Sequence, residues 1–491
     1  MRTVKTRSGA TAVQIVWSTH HGVRDVEHLG SGHCPVEVGL LVAAGRQRIA
    51  GGQDVLPLGA KPVVAPGALQ IVSSSMGRLL TAIDLVYQQL GLDKVSGGDK
   101  VFKDLVTARL IEPSSTQDAA RVLGEAGIRA MSYRTVKRRL RVYADPVWRA
   151  RLSGMLASQA GLGPASLCLY DVTTLWFETG RGDGFRESGF SKERRLEPQI
   201  TVGLLTDVCG FPLMVDAFKG NQAETTTMIP LIQRFLDAYG VDNLTVAADA
   251  GMMSEANLIE VEKAGWSFVV GGRMSQVPYQ ISNWMVDHPG QTPPDGLVLT
   301  QLMPKAPGAR RPWTTFYQYR AGRAARSLHG IDQQVAKAVK AVAGKTPVKK
   351  NRFVRISDAV KTVDRDLETK ARALAGWKPY VTNLADTPEQ VIGIYHQLWH
   401  VEHAFRMSKH DLKARPVYHH LHESIDAHLA IVMAALAVAT RIEQATGWSI
   451  SRFIKTMRRY RTVVIKVGTQ NVTAEDHIPP EIQEILEKLQ H

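Results

Sequence analysis

Apolar positions recur along this chain in two rhythms, and the change from one to the other marks out its parts. Short Val/Ile/Leu runs broken by Gly and Pro fill residues 1–75, where Val13–Trp17 and Val36–Val42 predict strands of a β-rich N-terminal region. Helical spacing then takes over in 76–160. Leu79, Leu80, Ile83 and Val86 form one stripe that ends near Gly91. Ser114-Ser115-Thr116 can cap a short helix, Asp118–Glu125, and Gly127 follows it. Ser132 then caps a basic helix, Tyr133–Val142. A short helix, a Gly turn and a basic helix make a helix-turn-helix-like pattern, although two packed helices of any bundle have the same outline.

From 165 to 271 the runs shorten into strands alternating with helices. Leu167–Asp171, Gln199–Leu205, Phe211–Val215, Leu244–Asp249 and Trp266–Val270 predict strands, with helices over Thr225–Tyr239 and Glu255–Ala264. The order β-β-β-α-β-α-β is an α/β arrangement, a three-stranded meander extended through helices, and it is the element order of a ribonuclease H-like core. Residues 272–378 interrupt the pattern with frequent Pro and Gly, a strand candidate at Trp313–Tyr319 and a basic helical stretch at Asp332–Val342; they predict an inserted subdomain. Order resumes at Tyr380–Leu384, followed by one long helix over 389–410 and another over 420–445. The expected parts are therefore 1–75, 76–160, a catalytic domain formed by 165–271 with 379–446, the insertion 272–378, and a C-terminal helical tail at 447–491 with its last amphipathic helix after Pro479-Pro480.

Charge adds a partner. The 491 residues carry 60 Lys+Arg against 46 Asp+Glu, a formal net charge of +14. The excess is clustered: 18 basic against 5 acidic residues lie between Lys305 and Lys378. Arg134, Lys137, Arg138, Arg139 and Arg141 crowd the basic helix, and Arg452–Lys466 contains no acid. Three such clusters favour a polyanion, above all double-stranded DNA, over a merely solvated surface. Cys34, Cys168 and Cys209 show no paired spacing, so neither a zinc ribbon nor a disulfide framework is expected, and a reducing cytoplasm is the expected location. The longest apolar run, Leu429–Ala439, is shorter than the ~20 residues of a membrane span and predicts a buried helix. Met1–Arg7 has no apolar stretch of the kind a secretory signal needs.

The chemistry rests on carboxylates. Asp171 and Asp249 each end an apolar run, and in this element order their strands are neighbours. Two carboxylates at one sheet edge repel unless a cation lies between them. Oxygen donors without a His/Cys cluster point to Mg²⁺, with Mn²⁺ possible in its place. Either Asp could instead cap a turn, Asp171 through Thr173-Thr174 and Asp249 through Ala250–Ser254. Glu402 is the third candidate. At ~100° per residue it shares a sector of about 80° with Tyr395, Leu398, Phe405 and Lys409. A buried Glu402/Lys409 pair that only packs the helix is the alternative.

Taken together, Leu169-Tyr-Asp171-Val-Thr-Thr174, Gly220-Asn-Gln-Ala-Glu-Thr-Thr226, Ala247-Ala-Asp249-Ala-Gly-Met252 and Tyr395–Lys409 resemble bacterial insertion-sequence transposases of the DDE class. The subgroup concerned has a Tyr-x2-Arg-x3-Glu-x6-Lys signature; here Tyr395, Glu402 and Lys409 match, and Leu398 replaces the Arg. The resemblance is clear from about 165 to 445. It implies that Asp171, Asp249 and Glu402 hold catalytic metal ions and that Tyr395 and Lys409 contact DNA at the element's ends. Arg406 would stand in for the missing Arg, and a homodimer would synapse two ends. It also implies an aromatic from the insertion near a flipped base if a hairpin forms, for which Trp284 and Trp313 are candidates. The expected function is end cleavage and 3′-OH transfer at terminal inverted repeats, by a bacterial protein that is nucleoid-associated when bound to DNA. A catalytically silent DNA-binding repressor and another ribonuclease H-like nuclease are the alternatives.

Overall fold

The computed structural model describes residues 1–18, 24–49, 56–57, 70–162, 166–178, 181–189, 196–223, 226–239, 244–249, 254–345, 351–357, 360–415, 417, 421–467 and 470–490. Glu224-Thr225 of the Gly220–Thr226 motif and the Ala250–Met253 turn after Asp249 lie outside them. The chain divides into two compact units, Met1–Met155 with Arg406–His491, and Leu156–Phe405.

The N-terminal part runs β1 (Arg2–Lys5), β2 (Thr11–Ser18), β3 (Arg24–Gly32), α1 (Pro35–Ile49), β4 (Leu56–Pro57), β5 (Gln70–Ser75), α2 (Gly77–Gln89), α3 (Leu92–Ser96), α4 (Lys100–Ile111), α5 (Ala119–Ala126), α6 (Tyr133–Ala144) and α7 (Pro146–Gln159). The strand expected at Val36–Val42 is instead part of helix α1. Pro35 opens it, Glu37 reaches back to accept from the His33 N–H at 2.7 Å, and Leu41 is buried against Val13, Ile15 and Leu29. Val36, Val38, Leu40 and Val42 alternate as a strand face would, but in the helix Leu41 is the buried residue and those four are half-buried around it.

The second unit continues with β6 (Ser166–Trp176), β7 (Gln199–Thr206), β8 (Pro212–Lys219), α8 (Met228–Tyr239), β9 (Leu244–Ala248), α9 (Glu255–Lys263), β10 (Ser267–Gly271), α10 (Tyr279–Asp287), β11 (Val298–Leu302), β12 (Thr314–Tyr319), α11 (Ala321–Val342), β13 (Val354–Ser357), β14 (Val360–Val363), α12 (Arg365–Ala373), β15 (Trp377–Thr382), α13 (Pro388–His396) and α14 (Leu398–Arg406). Its sheet has eight strands in the order β11-β12-β15-β10-β9-β6-β7-β8. β6, β7 and β8 pair antiparallel, and β9 and β10 add in parallel beyond β6. Every residue of β7 and β9 is buried, as expected of strands covered on both faces.

Part of the insertion belongs to this sheet. β12 pairs with β15, and β15 pairs with β10, so β11 and β12 extend the main sheet. The rest forms a small core of its own, with Phe353 packed among Ile331, Val335 and Ala338. The long helix expected over 389–410 is broken. Thr387 and Gln390 form a reciprocal capping box at the start of α13. Around Gln397 the bonding tightens to i→i−3, with Gln397 N–H to Ile394 O at 3.1 Å and His400 N–H to Gln397 O at 2.9 Å, and α14 starts afresh.

The chain then passes into a π-helical turn (Met407–Asp411), α15 (His422–Thr446), α16 (Ile450–Met457), β16 (Thr462–Val467), β17 (Gln470–Glu475) and α17 (Pro480–Glu487). The tail is not wholly helical: β16 and β17 form a hairpin whose β16 pairs with β5, completing the four-stranded sheet β4-β17-β16-β5. The Val463-Val-Ile-Lys-Val467 run is β-branched enough for a strand, but of its two partners only β17 is close in sequence; β5 lies almost 400 residues earlier. α15 is long and apolar enough to cross a membrane by length and composition, yet 89% of its most apolar window is buried. It packs against α4 and α6, and its run of alanines permits that close approach.

Candidate active site

Two neighbouring strands deliver the first two acids. The parallel ladder of β6 and β9 pairs Ser166 with Leu244 and continues to Leu169 with Ala247. Asp171 lies two residues beyond Leu169 on β6, and Asp249 two beyond Ala247, just past the end of β9. Residues in register on adjacent parallel strands share a face of the sheet, with strands ~4.8 Å apart. Asp171 is half-buried and accepts from the Val172 N–H at 2.8 Å; Asp249 emerges exposed from the buried end of β9.

Glu402 comes from α14, where it is exposed beside the buried Leu398, Val401 and Phe405. Asp171, Asp249 and Glu402 line one cavity of about 410 Å³, together with Lys378, Tyr395 and Leu398. Among the described residues no three His, Cys, Asp or Glu side chains stand close enough together to form a ready-made metal site. The acids thus share a cavity without being closed on one point. Their hard oxygen donors suit a divalent cation, and the exposure of Asp249 and Glu402 leaves those side chains room to turn toward one.

Tyr395 is buried at the end of α13 rather than presented to solvent, and its hydroxyl donates to Asp249 Oδ1 at 2.7 Å. Burial, reinforced by that bond to Asp249, pushes its phenol far above the ordinary range, so it remains a donor. Gly271, at the end of β10, makes room for the ring: a Cβ there would stand 2.7 Å from Tyr395 Oη. Behind Tyr395 is Lys378, whose Nζ donates to Tyr395 Oη at 2.9 Å and lies 4.1 Å from the ring centroid. Burial lowers the Lys378 pKa, while Asp249 and Glu402 pull it back upward. Lys378 appeared in the sequence only as the end of a basic run. Its signal was a single Lys inside the otherwise apolar Trp377–Thr382 strand, and only strand pairing brings it to the acids.

The remaining expected residues separate. Leu398 lines the cavity with an apolar side chain where the signature has Arg, and the cation lining that cavity is Lys378. Arg406 ends α14 and is exposed, and Lys409 lies half-buried in the π-helical turn. On α6, Arg134, Lys137 and Arg138 are exposed. Arg139 is not free for DNA: its guanidinium grips Asp99, which also accepts from Tyr143 Oη at 2.7 Å and caps α4 through the Val101 N–H. Arg141 is exposed, 3.9 Å from Glu423. Trp313 is buried edge-on against Phe268, while Trp284 is half-buried and stacked on His288.

A family model described as a transposase DDE domain matches residues 163–438, more than half of the chain and a span that includes all three acids. The chain belongs to the DDE transposase family. Such transposases are nucleases that act in transposition and generally use divalent metal ions. Among solved structures, this DDE transposase is similar to a piggyBac transposase synaptic complex with hairpin DNA, at 11% identity and a TM-score of 0.38, over 81% of this chain and 73% of that one. No curated protein matches it.

Proposed function

We propose that this DDE transposase cleaves at the terminal inverted repeats of a bacterial insertion sequence and transfers the freed 3′-OH ends to target DNA. The observation that carries the reading is the cavity lined by Asp171 of β6, by Asp249 just past the end of the neighbouring β9, and by Glu402 of α14. Asp171, Asp249 and Glu402 would hold Mg²⁺ or Mn²⁺. When bound, such ions make a water or a 3′-OH a better nucleophile and offset charge on the leaving oxygen. Tyr395 orients Asp249 through its hydroxyl. Lys378 anchors Tyr395 and adds positive charge where a phosphate would enter. The exposed Arg134, Lys137 and Arg138 suit the duplex backbone, with Arg406 and Lys409 as further DNA contacts. The working form would be a homodimer holding two ends, in the bacterial cytoplasm at the nucleoid.

The test is end cleavage and strand transfer by the purified protein on DNA carrying the element's termini, with Mg²⁺ or Mn²⁺. Asp171→Asn, Asp249→Asn and Glu402→Gln should each lower cleavage at least about a hundredfold while thermal melting is retained. Wild-type cleavage by Glu402→Gln would remove Glu402 from the site. Cut ends that are never joined to target would mark a plain nuclease.

A further inference from the structure

Within the unit formed by Met1–Met155 and Arg406–His491, two cavities of about 560 and 450 Å³ share Pro113 and Lys413. The larger is lined by Ser114, Ser115, Thr116, Arg109, Lys413 and Arg415, with Ser115 Oγ accepting from the Asp118 N–H at 3.1 Å; the second adds Lys455 and Arg458. The acids in the linings are Asp118, held by Arg121 at 2.8 Å, and Asp411. Arg458 meets Glu112 at 3.3 Å.

Lys413 has φ = +42°, the one positive φ of a non-glycine among the described residues. An L side chain in that region is strained, and strain persists where the surroundings hold it in place. Arg109 supplies that hold. It is 8% exposed, and its Nη1 donates to Leu412 O at 3.5 Å and Lys413 O at 3.4 Å. The Ala414 N–H, donating to Ser408 O at 2.9 Å, ties down the other side. The backbone at Lys413 is thus held where the two cavities meet, and its side chain is exposed there. Tyr133, exposed on the first turn of α6, lines the larger one, so this basic pocket adjoins the helix that carries Arg134, Lys137 and Arg138.

We infer that this pocket is a phosphodiester-binding site, with the exposed Lys413 gripping the backbone of a duplex laid along α6, and Arg109 acting as the positioning residue. The inference rests on the DNA-binding part of the proposed function. Its test is the binding of a random-sequence DNA duplex by the full chain, measured by anisotropy across a salt series. Lys413→Gly removes the charge and relieves the backbone, so melting temperature should hold or rise while affinity falls. The slope of log K against log[salt] should shrink by about 0.9, one phosphate contact. Lys413→Arg should retain the slope. An unchanged slope in Lys413→Gly, beside a wild type that binds with salt dependence, overturns the site. A wild type that binds no duplex at any salt concentration overturns the DNA reading itself, and the site with it.

Discussion

Tyr395→Phe removes one oxygen and tests how the acids are held. In the structure that oxygen donates to Asp249 at 2.7 Å and accepts from Lys378 at 2.9 Å, so a single deletion cuts both links of a Lys378–Tyr395–Asp249 chain. A hydrogen bond to a charged group contributes about 1.5–3 kcal/mol. Asp249 is exposed and water can replace the lost donor there, which argues for the lower end, about 1.5 kcal/mol. That corresponds to roughly a tenfold loss. Lys378 is half-buried and loses its acceptor, so the loss on that side is less easily made good by water. The assay is the single-turnover rate of end cleavage as a function of divalent-ion concentration, with thermal melting as the check on folding. A rate about tenfold lower, with a higher ion concentration needed for half-maximal cleavage, is expected. Lys378→Met should fall in the same range. The double variant should lose less than the product of the two singles, because both act through one chain. Cleavage by Tyr395→Phe within twofold of wild type, at unchanged ion dependence, would refute the positioning role of the hydroxyl.

Gly271→Ala would drive a Cβ to within 2.7 Å of Tyr395 Oη, and should depress cleavage without preventing folding; activity and melting measured together check it. Gly127 has φ = +91° at the end of α5, and a Cβ there would stand 2.3 Å from that of Ser75, so Gly127→Ala should lower stability by about 2 kcal/mol or more in a urea titration. Burial raises the Asp99 pKa, but bonds from Tyr143, Arg139 and the Val101 N–H outweigh it and leave the carboxyl below its ordinary value. A depressed carboxylate stabilises the fold above its unfolded pKa of about 3.9 and loses that contribution as pH falls through the lower folded value. Asp99→Asn should therefore cost about 2 kcal/mol near neutrality, with the gap to wild type closing as melts are taken further below about pH 4. Arg138→Ala should reduce the salt slope of duplex binding with stability intact, whereas Arg139→Ala should mainly lower the melting temperature.

The legible parts of this protein were those written in local pattern. Each strand and helix from Leu167 to Val270 was readable because buried strands form unbroken apolar runs and helices between them keep a 3.6-residue stripe. That order alone made neighbours of the Asp171 and Asp249 strands, and Gly127 and Ser132 marked the ends of α5 and α6 by turn and cap chemistry. Local pattern failed where partners were distant. Val36–Val42 has enough β-branched residues for a strand, and packing with β2, β3 and the distant Val467 and Val472 made it a helix. The break at Gln397 is a matter of backbone bonding that no residue type there announces, and it undoes a single helical wheel through Tyr395 and Glu402. Arg139 was indistinguishable from its basic neighbours until Asp99, 40 residues earlier, was found to hold it. Composition and periodicity therefore settle which elements form and which face of each is apolar, because those depend on near neighbours along the chain. The extension of the main sheet by β11 and β12, the arrival of Lys378 behind Tyr395 and the strain at Lys413 depend on contacts between segments far apart in sequence, and those exist only once the chain has closed on itself.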